Sequence, residues 1–498
     1  MNHWIIAPLL LPMAAAVANL FLGSRGPRPQ ATVSLCATAG LLPIAIGLLL
    51  RAWTGVLTVY QLGNWPAPFG IVLVLDRLSA LLLLVTALTA LGSLVYAMAG
   101  DDRRGHHFHV FFPLQLLGLN GAFLTGDLFT LFVFFEVLLI ASFALALHGG
   151  GPERTRAGLR YVVLNLIGSA LFLIALGLLY GALGTLNMAD LWVKATAAGP
   201  EQETLVRVAA LLLLVVFAFK AALPPVHLWL PSLYSGAVAP VAALFAIMTK
   251  VGIYALLRVQ TLVFPAGAGA VAGRLLPWLA LLALVAGAVG VLGSRRLRRL
   301  IAWLVVVSAG TLMAGIGQGS AAGIGAALFY LPHTTLVTAG LFLLAGLIAE
   351  QRGQADDRLA PGPALSRPTL LGLLFLFGAV ASAGLPPLSG FLGKLLLLRS
   401  AQPGFAVWLW PTLLSVSLVG LAALSRAGSE LFWHAEGVDL PRRALPMARV
   451  VPVVLLLSAS LLLSVFAGPV SRYAEAAAVQ LLSPAAYRAA VLAPEPRP

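Results

Sequence analysis

Apolar residues run through this chain in long blocks, and polar residues collect in the short gaps between them. A helix that crosses a bilayer needs about 20 mostly apolar residues. Fourteen blocks meet that need, at about 4–23, 32–51, 74–99, 108–125, 127–148, 159–183, 204–224, 237–259, 275–293, 300–318, 321–349, 369–398, 405–426 and 449–469. No gap is long enough to hold a soluble domain. The pattern therefore predicts an all-α polytopic membrane protein, with one transmembrane domain over residues 1–470. A polar tail over 471–498 is expected to carry one surface helix. The first block has no basic segment before it and no small-residue cleavage site after it, so it reads as a retained helix.

Composition sharpens this picture. Of 498 residues, 60% are hydrophobic and 10% are charged, against about 25% charged in soluble domains. The net charge of +14 would suit a phosphate-binding surface, but the arginines sit in the gaps, which argues against nucleic acid. Gap charge sets membrane orientation, because cytoplasmic loops are rich in Lys and Arg. Gaps after odd-numbered blocks hold 18 arginines, among them Arg103, Arg104, Arg154, Arg295, Arg352, Arg442, Arg443 and Arg449. Gaps after even-numbered blocks hold six basic residues: Arg51, Lys194, Arg207, Arg258, Arg274 and Arg399. The odd gaps are thus expected in the cytoplasm and both termini on the outer side. The run Arg295-Arg296-Leu297-Arg298-Arg299 reads as a topological anchor, with anionic lipid as the alternative partner. Cys36, the one cysteine, lies in an apolar block and is expected to pack there. It excludes an intrachain disulfide and a cysteine-held iron–sulfur cluster. His106, His107 and His109 share a loop with Asp101 and Asp102, a weak metal signal without cysteine support.

The chain has 27 arginines and four lysines, and three of those lysines lie inside apolar blocks. They are Lys220, Lys250 and Lys394. Arginine stays protonated in proteins, whereas a buried lysine can give up its proton near neutral pH. A charge at helix centre costs roughly 2.5–3.5 kcal/mol on insertion scales, so these groups should face protein or water. Lys250 is about nine residues from its helix end, or about 14 Å, too far to snorkel easily. Static ion pairs are the alternative. Glu136 is the one carboxylate deep in an apolar block; it needs a partner there, and Lys220 is the natural candidate. His333 in the eleventh block and His227 beside Pro224-Pro225 could relay protons; a core histidine satisfied by Thr334 or Thr335 is the bland reading of the first.

Leu-Pro-Pro occurs twice inside apolar blocks, ending at Pro224-Pro225 and Pro386-Pro387. Each lies within nine residues of an intramembrane lysine. Proline breaks the helix and frees carbonyls, which membrane depth tolerates only beside protein or water. Paired breaks in corresponding halves suggest inverted repeats with ion sites at the breaks. Packing kinks remain the alternative.

These residues sit in long motifs: GDLFTLFVFFEVLLIASFAL around Glu136, RYVVLNLIGS from Arg160, FKAALPPVHLWLP around Lys220 and His227, APVAALFAIMTKVGIYALLR around Lys250, and GLPPLSGFLGK ending at Lys394. On them, the chain resembles the antiporter-like proton-translocating subunits shared by respiratory complex I and Mrp-type cation/proton antiporters. Lys394 and the segment PSLYSGA (231–237) resemble the Mrp branch. So does Val337, where complex I relatives often carry a lysine. The resemblance implies inverted five-helix repeats over helices 4–8 (about 108–259) and 9–13 (about 275–426), with helices 7 and 12 broken. It implies Glu136–Lys220 as a coupling pair, Lys250 and His333 as central relay groups, and Lys394 as the terminal proton site. It further implies a secondary transporter without cofactor or resident metal in a bacterial inner membrane. The partners implied are Mrp subunits A, B, C, E, F and G, with protons and a monovalent cation as cargo. The alternative is a proton-pumping subunit of an NADH–quinone oxidoreductase or related hydrogenase.

Overall fold

The computed structural model describes residues 3–264, 266–434 and 445–492. Arg442, Arg443 and the end of the tail, 493–498, lie outside the described residues. Helices dominate. In the first half they are α1 (Ala7–Phe21), α2 (Pro27–Trp53), α3 (Arg77–Ala97), α4 (Phe108–Leu124), α5 (Leu128–Ala146), α6 (Pro152–Leu183), α7 (Met188–Thr196), α8 (Pro200–Lys220), α9 (Trp229–Gly236), α10 (Ala239–Phe245) and α11 (Met248–Leu262). The second half holds α12 (Ala266–Leu292), α13 (Leu297–Ile316), α14 (Ala321–Arg352), α15 (Pro368–Ala383), α16 (Ser389–Arg399), α17 (Pro403–Phe432), α18 (Met447–Val465), α19 (Ala467–Leu481) and α20 (Pro484–Leu492). Among the described residues, 12 helical segments are long and apolar enough to cross a membrane, and α4 and α15 are shorter apolar helices. Every one of the fourteen apolar blocks overlaps at least one of these segments.

Local chemistry sets the helix ends. Asp76 accepts a hydrogen bond from the Ser79 amide at 2.8 Å, and the Ser79 hydroxyl accepts one from the Asp76 amide at 3.0 Å, so the pair caps α3. Asp127 caps α5 through the Thr130 amide at 2.8 Å. Such caps satisfy amides that have no partner within the helix. Three spans are nearly sequestered: α10–α11, α13 and α14 form the centre, and α1, α2, α12 and α17 keep apolar faces outward. With no water to satisfy the backbone, an apolar outer face and helical spans are what a bilayer permits.

Four features depart from the expectation. Strands β1 (Thr58–Gln61) and β2 (Val72–Leu75) form an antiparallel hairpin before α3, so the fold is not wholly helical. The third apolar block therefore begins in a strand, whose VLVL run looks helical by hydropathy alone. The eighth block is interrupted as well: α10 and α11 meet at Ala246-Ile247, where amides bond three residues back. Two helices, α19 and α20, occupy the tail, and Tyr473, Ala474, Ala477, Ala478 and Leu481 of α19 are buried. Cys36 is exposed on α2.

The odd-gap loops gather on one face. His148 Nε2 meets the Asp101 carbonyl at 2.8 Å, Arg154 donates to the Gly236 carbonyl at 2.7 Å, and Arg298 donates to Asp356 at 2.7 Å. Arg449 pairs with Glu350 and, at 3.5 Å, with Asp101. The hairpin, α7 and α20 lie at the opposite face, where the Gly126 amide bonds the Val72 carbonyl and the Met188 amide bonds the Gly126 carbonyl.

Candidate functional site

The seventh block breaks after Lys220. Helix α8 stops there, residues 221–228 turn, and α9 resumes at Trp229. The carbonyl of Phe219 accepts from the Ala222 amide at 3.0 Å and from the Trp229 indole at 3.2 Å. Lys220 is 8% exposed. Its ammonium donates to Asn165 Oδ1 on α6 at 3.1 Å and stands 5.4 Å from the centroid of the Phe135 ring.

Glu136 is not ion-paired with Lys220. Its carboxylate accepts instead from the Ser169 hydroxyl, also on α6. Asn165 and Ser169 are four residues apart, one above the other on a helix face. Tyr161 extends the same row: its hydroxyl meets Ser142 Oγ at 2.8 Å, and its carbonyl accepts from Asn165 at 2.9 Å. A polar ladder on α6 therefore stands between the carboxylate and the amine. Sequence reasoning does not single it out, although its signal, Tyr161-x₃-Asn165-x₃-Ser169, lies within the motif that starts at Arg160.

Lys250 is fully buried on α11, just past the second interruption. Its nearest polar contact is Ser308 Oγ on α13, at 3.4 Å. Ion pairing is absent at Lys250 among the described residues. Gly252 explains how α11 comes so close to the first break: a Cβ there would overlap the Lys220–Ala221 backbone.

The twelfth block breaks between α15 and α16. Lys394 folds back across the break and donates to the carbonyl of Ala383 at 2.7 Å and to Ser417 Oγ at 3.0 Å; the carbonyl of Ser382 is 3.4 Å away. These carbonyls are the unsatisfied, partly negative end of α15, which attracts a cation. His333 on α14 is 1% exposed; its Nδ1 lies 2.8 Å from Ser389 Oγ and 3.3 Å from Ser460 Oγ. Gly390 makes the room, since a Cβ there would overlap both the Ala381 carbonyl and the imidazole. A cavity of about 20 Å³ is lined by Tyr330, His333, Thr334, Ser382, Lys394 and Ser417. That volume holds about one water molecule, enough to join imidazole to amine.

His227 lies in the first break against Trp303, and its Nδ1 has no partner among the described residues. The structure does not bond it to Lys220 or Lys250. At the opposite end of α11 stands a second charged pair. Arg258, which by its position reads as a loop charge, is 2% exposed and bonds Asp76 at 2.5 Å. Tyr254 joins them at 3.2 Å from Arg258 Nε. This pair ties α11 to the cap of α3, so Arg258 says little about topology. Among the described residues there is no group of three or more His, Cys, Asp and Glu placed to hold a metal. His109 is instead 3.2 Å from Asp102.

Amines at helix breaks, buried or half-buried and held by uncharged acceptors, define a class of membrane ion-translocating subunit. The family model described as "NADH:quinone oxidoreductase/Mrp antiporter, TM" matches residues 125–421. The D-type subunit of a probable K(+)/H(+) antiporter from Rhizobium meliloti is 43% identical, over 99% of this chain and 98% of its own length. Its counterpart in the Na(+)/H(+) antiporter of Bacillus subtilis is 36% identical, over 99% and 100%. A chain of the Mrp complex from Dietzia sp. superposes with a TM-score of 0.88 at 28% identity, covering 99% of this chain and all of that one. A chain of respiratory complex I from Thermus thermophilus gives 0.80 at 28% identity, over 96% and 99%. The chain belongs to the NADH:quinone oxidoreductase/Mrp antiporter family, and within it to the D-type antiporter subunits.

Proposed function

We propose that this chain carries protons through a multisubunit Na⁺/H⁺ or K⁺/H⁺ antiporter, along the row Glu136, Lys220, Lys250, His333, Lys394, with His227 at the first break. One observation carries the reading: three lysines within the membrane helices, Lys220 and Lys250 buried and Lys394 half-buried, have no carboxylate in contact among the described residues. Their partners are Asn165 Oδ1, Ser308 Oγ, and the Ala383 carbonyl with Ser417 Oγ. Each of these acceptors serves a neutral amine as well as an ammonium, because a neutral amine still donates. A lysine held this way can release its proton and keep its place. Arginine could not, since it stays protonated.

A proton on Lys394 passes to the water-sized cavity and from there to the His333 imidazole, leaving a neutral amine; the reverse step restores it. Glu136 supplies the coupling. Held by Ser169, it is one helix turn along α6 from the acceptor of Lys220. Its approach favours the charged amine, and its withdrawal favours release. The paired breaks follow α8 and α15, and a 32-residue helix, α6 or α14, comes earlier in each half; this fits inverted repeats over helices 4–8 and 9–13. The partners are Mrp subunits A, B, C, E, F and G. The arginine-rich face is cytoplasmic, in a bacterial inner membrane, with both termini outside. Relatives named as antiporter D subunits, at 43% and 36% identity, favour the antiporter over a quinone-reductase subunit.

The test replaces Glu136 or Lys220 by Ala and follows cation/proton exchange in inverted vesicles. Exchange should fall at least tenfold, roughly 1.4 kcal/mol or more in the limiting step, with the complex assembled. Full exchange in either variant would sink the proposal.

A further inference from the structure

At the arginine-rich face, the ends of α12 and α17 enclose an open cavity of about 680 Å³. Arg295, Arg296, Arg358 and Arg426 line it, against one carboxylate, Glu430. Among the described residues, none of the four guanidiniums is firmly committed to an acid. Arg295 and Arg358 are exposed and make no ion pair among the described residues. Arg296 is 3.9 Å from both Glu153 and Asp356, at the limit of pairing. Arg426 donates to the carbonyls of Ser294 at 3.1 Å and Leu292 at 3.4 Å, which fixes it at the end of α12. Glu430 is drawn to His434, 3.6 Å away. The result is a concave site with excess positive charge and donors to spare.

What adjoins the cavity identifies the occupant. Two exposed apolar rows run from it along the helices. On α12 they are Leu282, Val285, Val289 and Leu292; on α17, Leu414 and Leu418, on the side that ends at Arg426. A free anion needs no apolar rows, and a soluble acidic loop would not lie along a bilayer-facing surface. A molecule with a phosphate above two hydrocarbon chains matches both parts. Arginine forks fit phosphate oxygens in pairs. Basic pockets between membrane helices at the cytoplasmic side are suited to such headgroups.

We propose that this groove is a binding site for an anionic phospholipid, its phosphate held by Arg295, Arg358 and Arg426 and its acyl chains laid along α12 and α17. The site stands apart from the proposed proton path, since none of the relay residues lines the cavity.

The test uses the intact antiporter complex, stripped of lipid in detergent and titrated with phosphatidylglycerol, phosphatidylcholine or inorganic phosphate. Native mass spectrometry counts the lipids retained. The wild type should retain phosphatidylglycerol in preference to phosphatidylcholine. Arg295→Gln with Arg358→Gln should weaken that retention roughly tenfold or more, with subunit content unchanged. Arg207→Gln, a charge change at the opposite face, should leave it as in wild type. Should the double variant not assemble, Arg358→Gln alone is read in the same way. Equal retention of the two lipids, no loss in the variant, displacement by inorganic phosphate, or loss of a partner subunit in place of lipid would each overturn the proposal.

Discussion

Lys220 and Glu136 do not touch, and that changes what each residue is expected to do. Asn165 and Ser169 separate them on α6, so Asn165→Leu should be as harmful as a change at the lysine. We expect exchange to fall about tenfold, because an amine left without its acceptor at depth is costly; exchange at the wild-type rate in assembled complex would remove Asn165 from the path. Asp76 and Arg258 make the opposite case. Asp76→Asn leaves Arg258 buried without its counter-charge, a loss of about 3–5 kcal/mol, so the variant should fail to accumulate in membranes. Asp76→Asn together with Arg258→Met should recover much of it, as measured by the amount of intact subunit. The lysines are legible in the sequence because a charge in an apolar run is conspicuous. Asn165 and Ser169 are not, since neutral polar residues cost little and mark nothing by themselves. Arg258 misleads because it lies near the end of its apolar block, where loop charges are usual.

Helix interruptions are the next level. Proline marks two of them, at Pro224-Pro225 and Pro386-Pro387. The third, between α10 and α11, has no proline at Ala246-Ile247. It arises from a tightened turn within a fully buried segment, and no local pattern records it. The hairpin is hidden for a related reason: VLVL is as apolar as any membrane helix, and its strand pairing with Thr58–Gln61 is non-local. Two glycines let broken elements approach their neighbours. Gly390→Ala would push a methyl against the Ala381 carbonyl and the His333 ring. Overpacking of this kind costs about 1–3 kcal/mol, and because the closer clash is with backbone, α16 must shift and carry Ser389 away from the imidazole. Exchange should drop several-fold while assembly persists; an unchanged rate would mean that the placement of His333 beside Ser389 is incidental.

Across the whole molecule, the odd-gap loops converge on one face, and the relay groups other than His227 lie within helices. The fourteen apolar blocks are legible in the sequence because the bilayer imposes length and hydropathy together. The network that joins the loops is not, since it pairs residues hundreds of positions apart, as Arg449 does with Asp101. That face also carries a pH dependence. His148 is 5% exposed, and burial holds its imidazole below the ordinary value of 6.5, with the Asp101 carbonyl opposing the shift. The unfolded chain then binds the proton more readily than the folded one. The contribution of His148 is complete above about pH 6.5 and is lost as pH falls from there through the folded value. Thermal unfolding of the complex should move to lower temperature from about pH 7.5 to about pH 5.5, and His148→Gln should flatten that change.

Protons, on this reading, travel through neutralisable amines in the membrane. Lys250 tests that claim most directly, because it is fully buried and, among the described residues, its one hydrogen-bond partner is a serine. Lys250→Met keeps its length and packing and removes the proton site. In inverted vesicles holding the assembled complex, cation/proton exchange by the variant should fall to less than about a tenth of wild type. A rate within about twofold of wild type would contradict proton transfer through these amines.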